Sequence, residues 1–223
     1  MVKLYDPNKK GTIIITVGRS GSHLLGDIIS NKLKLANVSH RSLTENFHYY
    51  DQSVEKVSAF YKKQVDLMAG NSKYLISQIQ DFQIKVWLLS TNSSWLKDYH
   101  IIVLKRNDNI QHFFSKQILE NFHATVPVHS FKKELFTYKV GNFDSLKDQK
   151  LTVSADTVFQ FLAEKQLLAR FDCDETVVYE DLVTWPDVAK SMYEKNNYGI
   201  GFDDLIVNYQ EVKAILEETN DCK

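Results

Sequence analysis

The chain has 223 residues, 43% hydrophobic and 25% charged, with a formal net charge of -1. That length suits one domain, residues 1–223, with a core of its own, and the balanced charge excludes the global basic field of a nucleic-acid-binding surface. Two cysteines, Cys173 and Cys222, make no disulfide framework. No apolar stretch is long enough to span a bilayer, and Met1 to Lys10 lacks the apolar core of a signal peptide. The expected setting is therefore reducing and cytoplasmic.

Thr12 to Val17 (TIIITV) is a short β-branched run ending in glycine and predicts a buried strand. Ser22 to Leu35 carries Leu24, Leu25, Ile28, Ile29 and Leu33 at helical spacing. The first unit is thus strand, glycine turn, helix. Asp51 to Met68 predicts a helix opened by an Asp cap, Tyr74 to Ile79 a strand, and Ile84 to Leu89 a short helix. His100 to Lys105 (HIIVLK) predicts a second buried strand, followed by a helix over Asp108 to Phe122. Residues 123–152 read as irregular. Ala155 to Phe171 predicts an amphipathic helix, Thr176 to Tyr179 a strand, Asp187 to Lys195 a helix and Tyr209 to Glu218 the last helix. Strands alternating with helices predict an α/β fold, a three-layer sandwich around a central parallel sheet. Ligands of such sheets bind where the strands end, which directs attention to the loops after Val17 and Lys105.

The first of these loops reads Gly18-Arg19-Ser20-Gly21-Ser22-His23. Glycines let a backbone turn sharply and aim its N–H groups at an anion. The helix start adds positive partial charge, Arg19 adds a full charge, and Ser20 and Ser22 add hydroxyls. The pattern predicts a phosphate- or sulfate-binding loop; the plainer alternative is an ordinary tight turn between strand and helix. It is not a Walker A loop, because Gly21 is followed by Ser22 and His23 where that motif has lysine and Ser/Thr.

Gly18-Arg19-Ser20-Gly21-Ser22, followed by Leu24-Leu25, resembles the 5′-phosphosulfate-binding loop of sulfotransferases, which use 3′-phosphoadenosine 5′-phosphosulfate (PAPS). Bacterial and carbohydrate members typically read Arg-Ser-Gly-Ser/Thr-Thr-Leu-Leu, so His23 stands where threonine is usual. The resemblance implies that Gly18, Arg19, Ser20, Gly21, Ser22 and His23 hold the 5′ end of the cofactor, with Arg19 also catalytic. It further implies that Arg106 and Ser115, nine residues apart, hold its 3′-phosphate. Read without the resemblance, Asp108 is a helix cap and Arg106 a solvated charge. Tyr179-Glu180-Asp181-Leu182 and Asn208-Tyr209-Gln210-Glu211-Val212 are similar to two late segments of the family, in the same order. The family's basic stretch before the last segment is replaced by Gly199-Ile200-Gly201-Phe202-Asp203-Asp204.

Sulfuryl transfer needs an acceptor aligned with the leaving phosphate oxygen and a base for its proton. Glu45, in a Glu-x-Phe setting similar to that of a functional glutamate in some bacterial members of the family, is by that resemblance the first candidate base, and the nearby His48 and His40 are alternatives because imidazole titrates near neutral pH; each also reads as an exposed loop residue. The seven histidines show no metal-ligand spacing, and no metal is expected. The tryptophans read as packing residues, and Lys132-Lys133 as a solvated pair. The acceptor, a carbohydrate, lipid or other small molecule, is expected to be chosen by residues 122–152. Two other classes stay open: a non-catalytic relative that keeps the fold and binds a nucleotide or partner, and a phosphate-loop kinase, for which lysine and magnesium ligands are missing.

Overall fold

The structure is a computed structural model describing residues 2–33, 38–42, 59, 62–63, 74–80, 82–90, 94–122, 150–185 and 202–218. It is an α/β fold built on a parallel sheet. The strands are β1 (Gly11–Thr16), β2 (Val38–Ser42), β3 (Tyr74–Ile79), β4 (His100–Lys105) and β5 (Glu175–Val178), in spatial order β2-β3-β1-β4-β5. Every pairing is parallel. The helices are α1 (Ser22–Leu33), α2 (Phe82–Ser90), α3 (Asn109–Phe122), α4 (Ala155–Leu168), α5 (Tyr179–Leu182), α6 (Phe202–Leu205) and α7 (Tyr209–Glu218), with a 3-10 turn over Ser94–Asp98. The chain divides into two compact units, residues 1–105 with 164–182, and residues 106–163 with 183–223.

In the first unit β1 is the central strand. Ile13, Ile14 and Ile15 are all fully buried, which explains why the sequence runs apolar without alternation. Burying each such side chain stabilises the fold by about 1.5–3 kcal/mol. Thr12 and Thr16, which flank the isoleucines, are buried as well and hydrogen-bonded, as buried hydroxyls must be. Thr12 Oγ1 lies 2.9 Å from Tyr74 Oη, and Thr16 Oγ1 donates to the Leu104 carbonyl at 2.8 Å. Gly11 opens the strand where β3 comes close: a Cβ there would lie 2.2 Å from the Leu75 carbonyl oxygen. Thr16 pairs with Leu104, so β1 and β4 end at the same edge of the sheet.

In the second unit, Asp108 caps α3: its Oδ1 accepts the Gln111 N–H at 2.8 Å. The alternative reading of Asp108 as a cap is correct, and the helix proper begins one residue later than expected. The face of α3 carrying Phe113 and Phe114 is fully buried. Phe114 stacks on Phe202 and packs against Tyr209, with ring centroids 5.1 and 4.9 Å apart, and Phe113 meets Phe161 at 5.2 Å. Ser154 caps α4 through the Thr157 N–H at 3.2 Å. An unexpected parallel bridge joins Leu151 to Ile206. Next to it the Asn208 side chain replaces a further rung, accepting the Val153 N–H at 3.0 Å and donating to the Val153 carbonyl at 2.8 Å.

Several boundaries differ from the sequence expectation. Helix α4 ends at Leu168, before the expected Phe171, while α1 covers Ser22–Leu33 and the last two residues expected of it lie outside the described residues. Tyr179 opens helix α5 instead of closing β5. Strand β2 was not expected, and it places His40 in a strand, not a loop. The helices expected over Asp51–Met68 and Asp187–Lys195 lie outside the described residues, apart from helical Ala59, Lys62 and Lys63. So does most of the expected acceptor-side segment 122–152. Among the described residues, no helix is long and apolar enough to cross a membrane.

Candidate functional site

The chain leaves β1 at Thr16 and reaches α1 at Ser22 through five residues, Val17 to Gly21. So short a connection needs unusual backbone angles. Arg19 has φ 69° and Gly21 φ 84°, and Arg19 alone among the described non-glycine residues has positive φ. Left-handed residues at alternate positions reverse the direction of the chain within a few residues. For Arg19 this conformation costs about 1–2 kcal/mol. Gly21 is under a second constraint: a Cβ there would lie 2.6 Å from the Tyr179 ring.

The two serines, equal in sequence terms, separate in the structure. Ser20 is fully buried and its hydroxyl donates to the Val17 carbonyl at 2.8 Å, closing the turn. Its donor is spent on the loop's shape. Ser22 is 3% exposed, and its oxygen accepts a hydrogen bond from Gln80 Nε2 at 3.0 Å. It stands at the first position of α1, where helix N–H groups lack intrahelical acceptors; the Leu25 N–H already reaches the Gly21 carbonyl at 3.0 Å. Gly18, Arg19, Gly21 and His23 are partly exposed. The residues of the first expected loop therefore come together in one turn at the edge of the sheet.

Arg106 is the first residue after β4 and is half-buried; Ser115 lies on α3 and is 7% exposed. These two belong to the second unit, and Gly18 to His23 to the first. Glu45 and His48 lie outside the described residues, and of His40 only the backbone is described.

Three residues near the loop escaped the sequence reading. Lys85 of α2 is fully buried; its Nζ donates to the Thr16 carbonyl at 2.8 Å and to Glu164 Oε1 at 2.5 Å. A buried ammonium persists only with such partners. The signal was present, since Lys85 is the single charge in the apolar run Phe82 to Leu89. Glu164 had no comparable mark, being one of two charges within α4's Glu164-Lys165 pair. Gln80 follows β3 and carried no pattern at all. Among the described residues no group of three His, Cys, Asp or Glu side chains is arranged to hold a metal. Trp95 packs edge-on against Tyr99 at 5.9 Å, as a packing residue does.

No family model matches this chain, and no curated protein matches it.

Proposed function

We propose that this protein is a PAPS-dependent sulfotransferase on a three-layer α/β scaffold, with the turn from Gly18 to His23 as its anion-binding loop. The observation that carries the reading is the alternation of positive φ at Arg19 and Gly21 at the end of the central parallel strand, directly before α1. Such a turn presents N–H groups to an oxyanion at the helix start. The donor chemistry fits a 5′-phosphosulfate: a guanidinium at Arg19, the Ser22 hydroxyl and the first-turn N–H groups all donate, and the first turn of α1 carries no acidic residue to repel an anion.

When bound, the cofactor supplies the sulfuryl group, and its S–O bond to the phosphate breaks as an acceptor oxygen bonds to sulfur. Arg19 is assigned to the negative charge on the phosphate side, where a fixed donor helps most. Arg106 and Ser115 are assigned to the 3′-phosphate, following the family resemblance, and Glu45 or His48 to the acceptor's proton. The test is transfer from radiolabelled PAPS to a panel of carbohydrate, lipid and small-alcohol acceptors. The reading expects label on at least one acceptor, lost in Arg19→Ala. Turnover of ATP with magnesium and no transfer from PAPS would favour a kinase instead. Nucleotide binding without transfer to any acceptor would favour the non-catalytic relative.

A further inference from the structure

We propose that Gln80 is a positioning residue that fixes the Ser22 hydroxyl as a donor to the bound oxyanion; this rests on the anion-binding reading of the loop. Gln80 follows β3, and Ile79 of that strand pairs with Ile15 of β1, so its amide reaches across to the turn that leaves β1. Both hydrogens of the amide are used: Nε2 donates to Ser22 Oγ at 3.0 Å and to Gln78 Oε1 at 3.0 Å. Gln78 is fully buried, which anchors the arrangement. The amide oxygen of Gln80 lies 3.5 Å from where a Cβ on Gly18 would stand, so the side chain flanks the loop at its first glycine.

A serine oxygen that accepts from an amide keeps its own hydrogen for another partner. Ser22 is 3% exposed, and among the described residues no acceptor takes that hydrogen. An unspent donor in a buried place is costly. An oxyanion oxygen at the start of α1 is the acceptor that would satisfy it. The polarity depends on the residue at position 80 being a donor. A carboxylate there accepts only; it turns the Ser22 hydrogen back toward itself and adds repulsion. An apolar side chain merely releases the hydroxyl to rotate.

The experiment measures 3′-phosphoadenosine 5′-phosphate binding by calorimetry in wild type, Ser22→Ala, Gln80→Met, Ser22→Ala/Gln80→Met and Gln80→Glu, with thermal unfolding of each as the check on folding. Ser22→Ala and Gln80→Met are each expected to weaken binding about tenfold. The double variant is expected to be no weaker than Ser22→Ala, since Gln80 acts through that hydroxyl. Gln80→Glu is expected to bind least at pH 8, and its deficit relative to wild type to shrink toward pH 4, where a glutamate carboxyl is largely protonated and has a hydrogen to donate. Additive losses in the double variant, or a pH-independent Gln80→Glu no worse than Gln80→Met, overturn the proposal alone. A wild type that binds no nucleotide overturns the anion-binding reading, and this proposal with it.

Discussion

Gly21 and Tyr179 are in direct contact: a Cβ on the glycine would lie 2.6 Å from ring atom Cδ2 and 2.8 Å from Cε2. The loop after β1 is thus braced by the residue that opens α5, far along the chain. Gly21→Ala meets both a φ of 84° and the ring. It is expected to destabilise the protein by about 2–5 kcal/mol, the sum of a left-handed backbone cost and overpacking. Chemical denaturation checks this. In a cycle with Tyr179→Ala the steric part is relieved and the backbone part stays, giving a coupling of about 1–3 kcal/mol.

Arg19 holds a conformation that suits glycine better. Arg19→Gly should therefore melt above Arg19→Ala, by about 1 kcal/mol of unfolding free energy. Both are expected to lose nucleotide binding to a similar extent, because both lose the guanidinium. Stability that rises while binding falls marks a strained functional residue; equal melting of the two variants would argue that the strain is absent.

Lys85→Met leaves the Glu164 carboxylate buried without its ammonium partner. The expected cost is about 3–5 kcal/mol in urea unfolding. Lys85→Met/Glu164→Leu removes both charges and should recover most of that loss. If the pair also holds the Thr16 carbonyl in place for the loop, the double variant folds yet binds nucleotide more weakly than wild type.

The Tyr74 phenol is held above its ordinary value of 10.0, first by burial, with the Thr12 and Asp6 hydrogen bonds opposing. A folded value above the unfolded one gives stability that is fully present below pH 10 and lost as pH rises through the folded value. Wild type should thus lose stability steeply above pH 10. Tyr74→Phe should flatten that alkaline limb, while costing about 1 kcal/mol at neutral pH for the lost contact with Thr12. Unfolding curves between pH 7 and 11 test both halves.

The sheet was legible because its strands are buried on both faces and so read as apolar runs: Ile13 to Ile15 and Ile101 to Leu104 are buried almost throughout. Strand β2 (Val38–Ser42) was not, since Val-Ser-His-Arg-Ser has no apolar run or alternation. The loop was legible as glycines, charge and hydroxyls, but its division of labour was not. Nothing in Ser20 and Ser22 as letters tells that one spends its hydrogen on Val17 and the other accepts from Gln80. The end of α4 was misjudged because apolar spacing continues to Phe171, while after Leu168 the backbone tightens into turns such as Phe171 N–H to the Leu168 carbonyl at 3.4 Å. Lys85 and Glu164 were missed because ion pairs between distant elements leave no spacing rule in the chain.

The most direct measurement is calorimetric binding of 3′-phosphoadenosine 5′-phosphate to wild type, Arg19→Ala and Arg106→Ala. The account predicts affinity on the order of micromolar for wild type, lost in both variants with their melting temperatures little changed. Absence of binding to folded wild type, or full binding retained by Arg19→Ala, would contradict it.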